Sequence, residues 1–169
     1  MPHMPKTFFF DTVSLSNFAL AGRLDLLVAR YGPKAQVTQE VLDEVSDGIV
    51  AGYTALRQIE KAVADGEFGA AGPLSAKERD GYRALLQFLG AGEASCIACA
   101  QSRGGTVVTD DRAARNACAE RSVVMTGSIG ILKACSLDGT LVPQEADEVL
   151  QAMMDAGFYA PVSRISDLI

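Results

Sequence analysis

The stretch "GGTVVTDDRAARNACAE", residues 104–120, decides the fold. Its "TVVT" is β-branched throughout and suits a short buried strand. Its "DRAARNACAE" is rich in alanine and suits a helix. Between them stand two adjacent aspartates, Asp110 and Asp111. One aspartate is enough to cap a helix, by accepting hydrogen bonds from its first free N–H groups. The second needs a partner from elsewhere in the chain. A strand that runs straight into a helix is also the repeating unit of an α/β fold.

The same unit recurs on both sides. "TFFF", residues 7–10, reads as a first strand and ends at Asp11. Helical spacing follows over residues 14–32, divided at Gly22 and stopped by Gly32-Pro33. "AQVT", residues 35–38, reads as a short second strand, and residues 38–50 as a helix with Thr38 as N-cap. Residues 50–90 carry helical patterns at 54–66 and 75–90, with a glycine- and proline-containing loop between them and no strand signal. A further helix runs from Glu93 to the Gly104-Gly105 pair, and "SVVMT", residues 122–126, reads as a fourth strand. Two last helices span 127–139 and 143–157. Strands alternating with helices predict one α/β domain over residues 1–169: a three-layer α/β/α sandwich around a mostly parallel sheet, with a helical elaboration at about 50–90.

Composition narrows the function. The chain has 169 residues, is 49% apolar and carries a formal net charge of −6. No apolar run approaches the roughly 20 residues that span a bilayer. "MPHMPK" lacks the charged-then-apolar order of a secretory signal, so a cytoplasmic location is expected, and the lone His3 is set aside. An acidic chain has no broad basic face for nucleic acid, so contact with phosphate must be local or pass through a bound cation. The four cysteines, Cys96, Cys99, Cys118 and Cys135, lie in helical segments without the second pair or histidines that zinc requires. They read as small buried hydrophobes.

In an open parallel sheet, ligands bind at the edge formed by the carboxyl ends of the strands. Asp11 ends the first strand there, and Asp110 and Asp111 end the "TVVT" strand. Glu93 opens the helix leading into that strand, on the same face as Ile97 and Ala100. An acid on an apolar face is costly unless paired or bound to a cation. In the 38–50 helix, Glu44 lies closest to the stripe of Val41, Leu42, Val45 and Ile49, whereas Glu40, Asp43 and Asp47 read as a solvated face. Asp11, Glu44, Glu93 and Asp111 can therefore meet at one edge. Clustered carboxylates repel unless a cation sits among them. A hard divalent ion, Mg²⁺ or Mn²⁺, is the natural occupant of an all-oxygen site. One aspartate of the doublet would then cap its helix while the other faces the ion.

These segments resemble the PIN-domain nucleases. The resemblance rests on "FFFDTVSLSNFALAGRLDLL", "VTQEVLDEV", "LGAGEASCIACA" and "TVVTDDRAARNACAERSVVMTGSIGIL", in that order. The last stretch is similar to a subgroup with a double aspartate, a following arginine pair and a glycine-rich helix start. The resemblance implies a metal-dependent ribonuclease acting on RNA. It also implies a toxin of the VapC kind with an antitoxin protein partner, commonly a homodimer. It assigns metal ligation to Asp11, Glu44, Glu93 and Asp111, with Asp110 able to assist, and a supporting role to Thr109. Val13 stands where many members carry Ser or Asn, which leaves the supporting hydrogen bond to Thr12 or Ser14. Arg112 and Arg115 are candidates for RNA phosphate; the plain alternative is that Arg115 pairs with Asp111 or a neighbouring helix and only shapes the site. "TGSIG", residues 126–130, offers either a phosphate-holding helix start or a simple capped helix. The competing reading is a binding module of the same fold with an idle nuclease site. Aspartyl-phosphate chemistry, receiver domains and glycine-rich nucleotide loops are excluded by the absence of their motifs.

Overall fold

The computed structural model describes residues 6–169; His3 lies outside them. Five strands form one sheet: β1 (Phe8–Phe10), β2 (Ala35–Val37), β3 (Gly69–Ala70), β4 (Thr106–Val108) and β5 (Val124–Thr126). Every pairing is parallel and the order is β3-β2-β1-β4-β5. Among the described residues nine α-helices flank it: α1 (Thr12–Leu20), α2 (Leu24–Tyr31), α3 (Gln39–Val50), α4 (Arg57–Ala64), α5 (Ala76–Leu85), α6 (Ala91–Arg103), α7 (Arg112–Glu120), α8 (Ser128–Leu137) and α9 (Pro143–Asp155). The fold is the three-layer α/β/α arrangement that strand–helix alternation predicts.

The sheet is short and dry. Phe9, Phe10, Val37, Val107 and Val108 are all but fully buried, because a parallel strand covered on both faces has no solvent side. Phe18 and Leu27 from α1 and α2, Val41 and Val45 from α3, Ile97 from α6, and Leu132 and Leu150 from α8 and α9 close over it. Gly22, at φ +73°, turns the chain between α1 and α2. Cys96, Cys99, Cys118 and Cys135 are free and buried, as small core residues on α6, α7 and α8. Among the described residues, no helix is long and apolar enough to cross a membrane.

The sequence predicts four strands and no strand between residues 50 and 90, and here the structure differs. Gly69–Ala70 joins the sheet beyond β2, paired Gln36↔Gly69 and Val37↔Ala70. A two-residue Gly-Ala strand has neither β-branching nor alternation to signal it. Tertiary context recruits it: Phe68 just before it is buried, and the Ala71 N–H donates to the Val37 carbonyl at 3.0 Å just after it. Gly69 also permits a close approach, since a Cβ there would lie 2.7 Å from the Pro33 carbonyl oxygen.

Arg103, the last residue of α6, ties this elaboration to the sheet. Its Nε and Nη2 donate to the two carboxylate oxygens of Glu78 at 2.8 and 3.0 Å, and its Nη1 to the Ala71 carbonyl at 2.7 Å. Glu78 also closes a capping box with Ser75 at the start of α5. The guanidinium therefore holds Glu78 well below the usual carboxylate range, at about 2.

The order of the strands sets the place of chemistry. The chain winds outward from β1 to β2 and β3, then returns to lay β4 on the other side of β1. The connections thus reverse between β1 and β4, which opens a crevice at their carboxyl ends.

Candidate active site

Asp11 leaves β1 at that crevice. Its backbone N–H donates to the Val108 carbonyl at 3.0 Å, which extends the β1–β4 ladder by one step and locks the residue in place. One carboxylate oxygen, Oδ1, accepts from the Ser14 N–H at 2.8 Å and caps α1. The other, Oδ2, is buried without a hydrogen-bond partner among the described residues. Burial raises this carboxyl to about 6, against the opposing pull of the neighbouring Thr109 and Ser14.

Glu44 reaches the crevice from α3. The Thr12 hydroxyl donates to its Oε1 at 2.5 Å, across 32 residues of chain. Gly92, in the first turn of α6, makes room for this pair. A Cβ there would lie 2.2 Å from Glu44 Oε1 and 2.9 Å from Thr12 Oγ1. The starts of α3 and α6 are joined by the buried hydroxyls of Thr38 and Ser95, 2.7 Å apart. Asp11, Thr12, Val13, Glu44, Gly90 and Glu93 line one cleft of about 360 Å³, and Asp47, read in the sequence as a solvated acid, stands on it too.

Glu93 is held at about 7, first by burial, then by the negative charges of Asp111 and Asp11, and in smaller part by that of Glu44. Glu93 therefore senses the other three carboxylates named from the sequence. Their donor set is oxygen only, and the Oδ2 of Asp11 has no protein partner. Among the described residues, however, no three acidic, histidine or cysteine side chains stand close enough to make a ready ligand shell. Such an arrangement fits a hydrated hard cation that keeps several waters and takes few carboxylates, rather than one caged by protein.

The aspartate doublet resolves into two caps. The Oδ2 of Asp111 accepts from the Ala114 N–H at 2.9 Å and caps α7, its own helix. Asp110 turns the other way and caps α8. Its Oδ1 accepts from the Ser128 N–H at 2.8 Å, and its Oδ2 from the Ser128 hydroxyl at 2.6 Å and Asn17 Nδ2 at 3.1 Å. The Ser14 hydroxyl adds a longer contact at 3.4 Å. Both oxygens of Asp110 are thus committed, which fits a structural tie among α1, β4 and α8 rather than an assisting ligand. Asp111 can cap and still face Glu93, so capping and facing the crevice are not alternatives as the sequence reading has them. The same geometry bears on "TGSIG": Asp110 takes the Ser128 N–H and sets a carboxylate at the start of α8, which disfavours a phosphate there.

The supporting residues follow. Thr109 is fully buried, and its hydroxyl accepts from the Asp111 N–H at 3.2 Å. Arg115 Nη1 donates to the Thr109 carbonyl at 3.0 Å, and among the described residues Arg115 makes no ion pair, so the pairing with Asp111 is absent. Arg112 is exposed at the first position of α7. Val13 is half exposed at the cleft, flanked by the two hydroxyls that do bond, Thr12 to Glu44 and Ser14 to Asp110. Asn17, Ser128 and Gly92 escape a reading of acids alone. The signal for Asn17 is an amide among the apolar residues of α1, where a buried polar group demands a partner.

A family model described as a PIN domain matches residues 7–169. The chain belongs to the PIN-domain family. Among curated proteins, no match was found. The PIN domain is a nuclease fold whose members generally use divalent metal ions, and the crevice of this one lies where β1 and β4 deliver their acids.

Proposed function

We propose that this PIN domain is an endoribonuclease dependent on Mg²⁺ or Mn²⁺, and that it serves in the cytoplasm as the toxin of a toxin–antitoxin pair, as a homodimer held in check by an antitoxin protein. The observation that carries the nuclease reading is the buried, unpartnered Oδ2 of Asp11 amid three further carboxylates. A buried acceptor with no donor is costly, and a cation is the partner that its surroundings admit.

Asp11, Glu44, Glu93 and Asp111 would hold the ion. When bound, a divalent ion supplies Lewis-acid stabilisation of a phosphodiester and a water of lowered pKa. The residues do the rest. Thr12 fixes the rotamer of Glu44 through its 2.5 Å hydrogen bond. The Ser14 N–H fixes Asp11 through its Oδ1 and leaves Oδ2 open. Glu93, held at about 7, is suited to accept a proton from the attacking water near neutral pH. Asp110, with both oxygens taken by hydrogen-bond donors, keeps α1 and α8 in register behind the acids.

The test is cleavage of a mixed structured-RNA pool with Mg²⁺, Mn²⁺ or EDTA, beside Asp11→Asn and Glu93→Gln proteins purified identically. Metal-dependent cleavage that disappears in both variants is the expected result. Cleavage surviving in both would belong to a contaminant. Absence of cleavage together with absence of calorimetric Mn²⁺ binding would refute the nuclease reading.

A further inference from the structure

A second cavity, of about 370 Å³, opens on the other side of the Asp110 tie. It lies beyond the ends of β4 and β5, and its walls include Asp110, Arg115, Met125, Ile129, Phe158 and Tyr159. None of these residues lines the acidic cleft. The aromatic wall is built deliberately by the chain after α9. Gly157, at φ +115°, turns it out of the helix, and the Phe158 N–H bonds back to the Met153 carbonyl at 2.9 Å. Phe158 packs against the core, and the next side chain is forced outward: Tyr159 is 95% exposed. Downstream, the Ser166 N–H and hydroxyl clip this segment to Asp147 at 2.9 and 2.7 Å. The ring is therefore presented on a segment anchored at both ends.

The lining chooses between the parts of a nucleotide. Phosphate is disfavoured at the N-terminus of α8 because the Asp110 carboxylate, which itself lines the cavity, already takes the Ser128 N–H. What the cavity offers instead is apolar lining from Met125, Ile129 and Phe158, the exposed ring of Tyr159, and a guanidinium whose remaining N–H groups are free of any ion pair among the described residues. Flat apolar faces beside an arginine suit a nucleobase, which stacks on one and donates or accepts along its edge. β5 is two strands from β1, about 10 Å at ordinary strand spacing. A single strand whose phosphate sits at Asp11 can thus place a base a few nucleotides along its chain in this cavity.

We propose that the cavity between β5 and the 156–164 segment is a nucleobase subsite for single-stranded RNA, with Tyr159 as its stacking platform. This rests on the nuclease reading for its substrate, but its own readout is binding. A short fluorescein-labelled single-stranded RNA of mixed sequence is titrated with the wild-type, Tyr159→Ala, Tyr159→Phe and Asp11→Asn proteins in EDTA, followed by anisotropy. Tyr159 is so exposed that its loss leaves the fold intact, which thermal melting checks. Tyr159→Ala should weaken binding about tenfold or more, while Tyr159→Phe binds like wild type. In cleavage, Tyr159→Ala should raise KM with kcat little changed. Wild-type affinity in Tyr159→Ala overturns the subsite, and cleavage by that protein would leave the nuclease reading standing. Binding that depends on Tyr159 in a protein that never cleaves keeps the subsite and sinks the nuclease reading instead.

Discussion

The two aspartates of the doublet should separate cleanly when each is replaced by alanine. Asp110→Ala removes three close hydrogen bonds, to the Ser128 N–H, the Ser128 hydroxyl and Asn17 Nδ2, and uncaps α8. It also leaves the Asn17 amide buried with only a 3.4 Å contact to Ser128. A lost cap costs about 1 kcal/mol, and hydrogen bonds to a charged group about 1.5–3 kcal/mol each before non-additivity. A net loss of about 3 kcal/mol is expected. Asp111→Ala removes one capping bond, to the Ala114 N–H, and also relieves repulsion on Glu93. Its cost should be about 1 kcal/mol or less. For a chain of this size that translates into about 6–12 °C of Tm for Asp110→Ala and about 2–4 °C for Asp111→Ala. Urea titration with an unchanged m-value gives the same quantities at constant temperature. Activity should order them the other way, with cleavage lost in Asp111→Ala and retained, at permissive temperature, in Asp110→Ala. Equal destabilisation by the two variants, or a larger loss for Asp111→Ala, would refute the assignment of Asp110 as the tie.

Gly92→Ala should disturb the crevice without touching an acid. The added Cβ would stand 2.2 Å from Glu44 Oε1 and must expel it from the Thr12 hydrogen bond. A stability cost of about 1–3 kcal/mol and weaker calorimetric Mn²⁺ binding are expected, and unchanged Mn²⁺ affinity would argue against Glu44 as part of the site. Glu78→Gln probes pH. Glu78 falls from 4.5 to about 2 on folding, so its pairing contributes stability that is fully present above pH 4.5 and lost as pH falls toward 2. The full shift would correspond to about 3 kcal/mol, and solvent screening at the one-third exposed Arg103 reduces it to about 1–2 kcal/mol. Urea titrations of wild type and Glu78→Gln should therefore differ at neutral pH and converge through that window.

The sheet was legible wherever an apolar run met a polar stop. "TFFF" before Asp11 and "TVVT" before the doublet both announce strand ends, and strand ends announce the crevice. Glu44 was legible because helical period places it beside Val41 and Val45. β3 was not, since two small residues carry no period and owe their pairing to Phe68 and to the β2 edge. The doublet was half legible. Local rules find the cap that Asp111 gives its own helix, but the cap that Asp110 gives α8 spans 18 residues, and Asn17 lies 93 away. Long-range polar ties leave no spacing in the sequence, only a buried amide that needs an explanation.

The four cysteines acquire a use from their position. Burial pushes the thiols of Cys99 and Cys118 up to about 11 and those of Cys96 and Cys135 upward as well, so hardly any thiolate exists at neutral pH to react. A maleimide can then reach each sulfur only when its helix opens, and labelling becomes a clock for local opening. Cys96 and Cys99 time α6, the helix that carries Glu93; Cys118 times α7 behind Asp111; Cys135 times α8, which Asp110 holds. The protein thus contains native timers on three walls around its crevice, and mass spectrometry of the labelled peptides would read which wall yields first.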